Sequence, residues 1–243
     1  MVESLAIRTD APVQKMTSRL VMNNKVLLGA LFAFCVSSFA FAQGDAKPGT
    51  VDFNDLKPST IVTPIWSEIL VLPFPTGFVG AAARTHDDFY INEMVLKGEA
   101  VDQWTQMITQ TGRRGLSSRP DVTPEGYLSA IEGGFERLCP DTFIAKAIGA
   151  TTISGHDGFV AWASCGSVTT DGYAHSESTL FLCIKGAEDY YTVQWSERGA
   201  ASSQPIAYDD AKWGERLKKL KAVTTLPRVP AQSSLNPISA VQK

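Results

Sequence analysis

From Val26 to Val36 the chain is continuously apolar, and behind that run stands the small-residue triplet Ala40-Phe41-Ala42. Lys25 supplies a positive flank, so residues 1–42 read as a secretory signal peptide cleaved after Ala42. The apolar core is shorter than a bilayer-spanning helix needs, and no comparable run follows, so no integral membrane span is expected once the signal is removed. Translation from Met16 or Met22 would give a signal of more usual length. Cys35 lies inside the run, but Phe34 and Phe32 occupy the positions where a lipidation signal wants a small residue and a leucine. It is read as a small hydrophobe of the signal core.

Past the signal the pattern changes three times. Residues 43–62 mix Gly, Pro, Asp and Lys without apolar periodicity and read as an extended leader. Residues 63–224 carry the periodic segments of a single domain. Residues 225–243, with three prolines and little to bury, read as a disordered tail.

Within the domain, strand signals dominate. Ser67–Pro73 is a short apolar run, and Asp88–Leu96 alternates around Phe89, Ile91, Glu93 and Val95. Phe143–Ile153 and Phe159–Cys165 flank Ser-Gly-His-Asp-Gly, whose glycines supply the positive φ of a tight reversal. Ser178–Ile184 and Tyr190–Ser196 form a second hairpin around residues 185–189. One helix is predicted over Thr123–Leu138, with Thr123 as N-cap, Pro124 at the first helical position, and Tyr127, Leu128, Ile131, Phe135 and Leu138 on one stripe. A second is predicted over Ala207–Lys221, with Asp209 and Asp210 in its first turn and Lys218, Lys219 and Lys221 in its last, both suited to the helix dipole. A shorter helical turn is expected over Glu99–Trp104. These elements define an α+β class: an antiparallel meander of about five to six strands packed by two main helices.

Charge narrows the partners. Without residues 1–42 the chain holds 18 basic and 23 acidic residues. That balance argues against nucleic acid and against an anionic membrane surface, both of which are bound through a basic excess. Export sets the chain in an oxidising compartment, so Cys139, Cys165 and Cys183 are expected to give one disulfide and one odd thiol. Cys139–Cys165 is favoured because it ties a helix end to a strand. Cys183 then packs as a buried thiol between Leu182 and Ile184 rather than serving as a nucleophile.

Candidate chemistry is sparse. His86, His156 and His175 lie in polar segments without metal-ligand spacing, and His86-Asp87-Asp88 is the nearest approach to a ligand cluster. Ser164 has no nucleophile elbow around it, and no phosphate-binding or zinc-protease motif is present. No cofactor is implied. Arg113, Arg114 and Arg119 crowd one Gly/Ser-rich loop, the basic cluster an acidic partner would use. Trp66, Trp104, Trp162, Trp195 and Trp213 each lie within an apolar element and read as core.

The segment from Glu93 to Thr109, in which Gly98-Glu99 leads into Trp104-Thr105-Gln106-Met107-Ile108-Thr109, resembles small exported proteobacterial proteins of unknown function. Trp162–Cys165 and the stretch from Lys185-Gly186 to Tyr191-Thr192-Val193-Gln194 extend the resemblance to about 130 residues. Such proteins are similar to the PsbP/DcrB-like α+β fold, which implies an extrinsic, non-catalytic assembly or binding role and carries over no catalytic residues. The expected function is therefore an exported binding or assembly protein, periplasmic or secreted, whose partner is an unidentified envelope protein or small ligand. The alternative is a secreted hydrolase or metal-dependent enzyme with a site assembled from sequence-distant residues. A convergent pocket containing His86, Asp87 or His156 would favour that enzyme.

Overall fold

A computed structural model describes residues 59–170 and 172–228; the expected signal peptide, and the parts of the expected leader and tail before residue 59 and beyond residue 228, lie outside them. The described chain is mostly β. Strands β1 (Ser59–Ile65) and β2 (Glu68–Phe74) form a hairpin, joined on the other side of β2 by β10 (Thr224–Pro227). A seven-stranded antiparallel sheet comprises β3 (Phe78–His86), β4 (Phe89–Leu96), β5 (Gln106–Arg113), β6 (Phe143–Ile153), β7 (His156–Thr170), β8 (Tyr173–Lys185) and β9 (Tyr190–Ala200), in spatial order β3-β4-β5-β9-β8-β7-β6. Helix α1 (Pro124–Leu138) carries the chain from β5 to the far edge at β6, and α2 (Asp210–Leu220) follows β9. The large sheet is thus two consecutive meanders joined where β5 meets β9.

This overturns the α+β expectation of five or six strands under two helices: the strands form sheets of three and seven, and they outweigh the two α-helices. Four strands escaped the reading for separate physical reasons. β1 straddles the expected leader boundary, and β10 lies at the start of the expected tail. β3 is rich in glycine and alanine and is exposed along nearly its whole length, so burial imposes no alternation on it. β5 is buried through polar residues, with Thr109, Gln110 and Thr111 where an apolar period was sought. Residues 99–104 are not helical either. Glu99 accepts hydrogen bonds from the Thr105 backbone N–H and hydroxyl, and a bridge pairs Ala100 with Gln103, so the segment closes as a loop over Val95 and Met107.

Both faces of the β7–β8 hairpin are covered, which is why these strands read as near-continuous apolar runs. On one face Val160, Trp162, Leu180, Leu182 and Val193 share a core with Trp213 and Leu220 of α2 and with Ile65, Leu70 and Leu72 of the small sheet. On the other, Ala161, Ala163, Phe181 and Cys183 pack against Leu128, Ile131 and Phe135 of α1. Each large aliphatic or aromatic side chain so buried contributes about 1.5–3 kcal/mol. The helices start where their caps dictate: the Thr123 hydroxyl accepts from Gly126 N–H at 3.0 Å, and Asp209 accepts from Lys212 N–H at 2.9 Å.

Cys139, at the end of α1, is joined to Cys165 of β7 with Cα atoms 5.7 Å apart, the helix-to-sheet pairing favoured from the sequence. Cys183 is a buried free thiol. Directly after Cys165, β7 bulges, and the Gly166 carbonyl accepts from Ser202 N–H at 2.8 Å as the chain after β9 crosses over it. A Cβ at Gly166 would stand 2.2 Å from the Gln204 carbonyl oxygen, backbone that cannot swing aside. Gly166→Ala is therefore expected to cost about 1–3 kcal/mol of stability, read as a lower urea midpoint at unchanged slope.

Candidate functional site

The structure disperses the residues singled out from the sequence. His86 and Asp87 face each other at 3.0 Å on the exposed tip of the β3–β4 hairpin, where Asp87 adopts a positive φ of 52°. Asp88 is turned away to pair with Arg113. Among the described residues, no group of three or more His, Cys, Asp or Glu side chains is placed to hold a metal ion. Ser164 exchanges a 2.7 Å hydrogen bond with Ser178 inside the core. Burial raises the Cys183 thiol well above its ordinary range, which keeps it protonated and inert.

The arginines of the basic loop each meet a neighbour. Arg113 binds Asp88 at 2.8 Å and lies over the Phe89 ring at 4.9 Å. Arg114 lies 5.4 Å over Trp66, and Arg119 grips both carboxylate oxygens of Asp121 at 3.1 and 2.7 Å. The loop thus presents less free charge than its sequence promises.

His156 belongs to a polar knot at one end of the sheet. Glu68, at the start of β2, accepts from Ala187 N–H at 3.0 Å and faces His156 Nε2 at 3.3 Å. Beside it Asp189 accepts from Gly115 N–H (2.6 Å), Ser67 N–H (3.0 Å), the Ser67 hydroxyl (2.6 Å) and the Tyr191 hydroxyl (3.2 Å). Burial alone would raise the Asp189 carboxyl, but these donors overcome it and hold it below its ordinary value. The knot ties the turns of both sheets together. Asp189 is consumed by these donors, while Glu68 spends only Oε1 and its buried Oε2 has no hydrogen-bond partner among the described residues.

Three clefts among the described residues lie away from these groups: none of the three is lined by His86, Asp87 or His156. The largest of these three, about 580 Å³, lies under the C-terminal half of α2. Pro73 and Pro75 form one wall, with Phe78, Leu96 and Trp195 below. Phe78 meets Trp195 edge-on at 5.6 Å, and the indole N–H donates to Gln106 Oε1 at 3.0 Å, so this floor is held rigidly. Arg216 lies against both Trp213 (4.4 Å) and Trp195 (5.2 Å) while binding Glu197 at 2.8 Å. At the mouth, Lys218 pairs with Glu215 at 2.6 Å, and the Lys219 ammonium stands 5.6 Å over the Trp195 ring. Sequence reasoning took Lys218 and Lys219 only as complements to the helix dipole. The missed signal was aromatic and basic residues recurring along one short helix, Trp213, Arg216 and Lys219, three apart.

Fold and cleft together define a mostly-β domain with an apolar-floored, basic-rimmed recess. No family model matches the chain, and no curated protein does either. Among solved structures it is similar to LpqN, involved in cell envelope biogenesis of Mycobacterium tuberculosis, at 16% identity and TM-score 0.40 over 72% of this chain and 95% of that one. A mutant of Mog1 is similar at 13% identity and TM-score 0.36, over 67% of this chain and 86% of that one. PA94, a Pseudomonas aeruginosa protein of unknown function, is similar at 14% identity and TM-score 0.32, over 70% and 99%. These likenesses are distant, and none of them shows the PsbP-like fold.

Proposed function

We propose that this chain is an exported, non-catalytic binding domain of the bacterial envelope that takes an amphiphilic anion in the cleft beneath α2. The observation that carries the reading is the cleft itself, where an apolar floor of Phe78, Leu96 and Trp195 lies under the Lys219 ammonium. An apolar body is desolvated below while a carboxylate or phosphate meets the cation at the rim. The secretory pattern at Val26–Ala42 and the Cys139–Cys165 disulfide support a site of action outside the cytoplasm.

Octanoate and octanol, titrated against the protein with intrinsic tryptophan emission as the readout, test this reading. Octanoate is expected to bind more tightly than octanol. Lys219→Glu should weaken octanoate by about tenfold and leave thermal stability nearly unchanged, because the side chain is exposed. Equal affinity for the two probes, or indifference to Lys219→Glu, overturns it.

A further inference from the structure

A second cleft, about 430 Å³, opens at the same end of the large sheet but on the face that carries α1. At its base the Arg198 guanidinium stacks on Trp104 at 4.0 Å, and its Nε donates to Glu177 Oε2 at 2.9 Å. The Arg198 backbone N–H donates to the Thr105 carbonyl at 2.9 Å, which anchors β9 to the loop bearing Trp104. Both side chains of this pair are almost wholly buried, at 12% and 5% exposure, so the arginine is held in one pose. Only Nε of its five N–H donors is spent, and its two terminal nitrogens have no hydrogen-bond partner among the described residues. His175 Nδ1 contacts the Tyr173 carbonyl at 3.1 Å, while Nε2 is buried without a hydrogen-bond partner, 3.6 Å from Glu177. Exposed Asp102 and Gln103 line the opposite side. Tyr173 projects beside the opening at 72% exposure, a large aromatic surface that the core does not use.

We infer that this cleft binds a neutral carbohydrate. The charges decide against the simpler ligands. Arg198 is already neutralised by Glu177, so an anion gains little there, and the acidic groups are too few and too divided to hold a cation. What the walls offer is a fixed arginine fork, flanked by an exposed carboxylate and amide, next to an aromatic face. A pyranose matches that set: each hydroxyl donates and accepts at once, and its C–H face packs on a ring such as Tyr173. The terminal nitrogens of Arg198 and the Gln103 amide would donate to hydroxyl or ring oxygens, while Asp102 would accept from hydroxyls. The site is separate from the cleft under α2 and stands whether or not that cleft takes an anion.

The test titrates the full chain with maltotriose, cellotriose and the trimer of N-acetylglucosamine, with glucuronate as the charged comparison, followed by saturation-transfer NMR. At least one neutral trisaccharide is expected to bind with Kd near about 1 mM. Tyr173→Ala and Asp102→Asn, both at exposed positions that leave folding intact, should each weaken it by about tenfold. Lys219→Glu, in the other cleft, should leave sugar affinity unchanged. Failure of all three sugars to bind at about 10 mM overturns the inference. So does binding indifferent to Tyr173→Ala and Asp102→Asn, and so does binding of glucuronate alone.

Discussion

Asp189→Ala is expected to destabilise the protein by about 3 kcal/mol or more, one of the two largest single-residue effects this fold should show. The carboxylate is the common acceptor for Gly115 N–H, Ser67 N–H and the Ser67 and Tyr191 hydroxyls. Removing it strands one buried and three partly buried donors, at up to about 1–3 kcal/mol each and less where water enters. Asp189→Asn should be only modestly better. Gly115 takes one carboxylate oxygen and Ser67 the other, so whichever position the amide NH2 occupies meets an N–H that needs an acceptor. The same group sets an acid limit. Its folded pKa lies below the ordinary carboxylate value of about 3.9. Its contribution is therefore fully present above the unfolded value and is lost as pH falls through the folded one. Urea midpoints should decline on acidification below about pH 4, with a shallower decline in Asp189→Asn. Parallel curves for the two proteins would show that Asp189 does not carry the effect.

The second large effect is the disulfide. Cys139→Ala and Cys165→Ala are each expected to lose about 3–4 kcal/mol, from the chain entropy of opening a loop whose ends are 26 positions apart. Cys183→Ala should fold to the same structure with a loss of about 1 kcal/mol, that of a small buried group. A bridge between Cys165 and Cys183 is excluded by register. Cys183 stands opposite Phe159 and Cys165 opposite Glu177, which separates the two by about 20 Å along the hairpin. Denaturant curves of the three variants, with non-reducing peptide mapping of the wild type, check both statements. A Cys183→Ala loss equal to the other two would refute the assignment.

Where several local signals agreed, the sequence was sufficient. Thr123 with Pro124 placed the start of α1, and Gly155 placed the β6–β7 reversal through its positive φ. Cys139 before Pro140 placed the sulfur where the helix releases the chain. Legibility failed where burial is polar or absent. Thr111 and Thr192 face each other across β5 and β9 with hydroxyls 2.7 Å apart, so that stretch of sheet is buried without an apolar period. β3 has the opposite problem, an exposed edge that selects for nothing in particular. The clefts were hidden for another reason. Phe78 and Trp195, or Trp104 and Arg198, come from elements far apart in the chain, and their meeting depends on the β5–β9 junction that the reading did not contain.

That junction also orders events in time. Thr111 of β5 finds its neighbour Thr192 only 81 positions further along. A chain delivered N-terminus first presents β3-β4-β5 as a three-stranded piece whose β5 edge has no neighbour until α1 and four more strands have emerged. Early docking of β6-β7-β8 cannot cover that edge, because only β9 fits between β8 and β5. Closure of this seam is expected to be the slow step of assembly, because it must span a longer loop than either hairpin block. During that interval the waiting edge is the part of the described chain most exposed to wrong pairing.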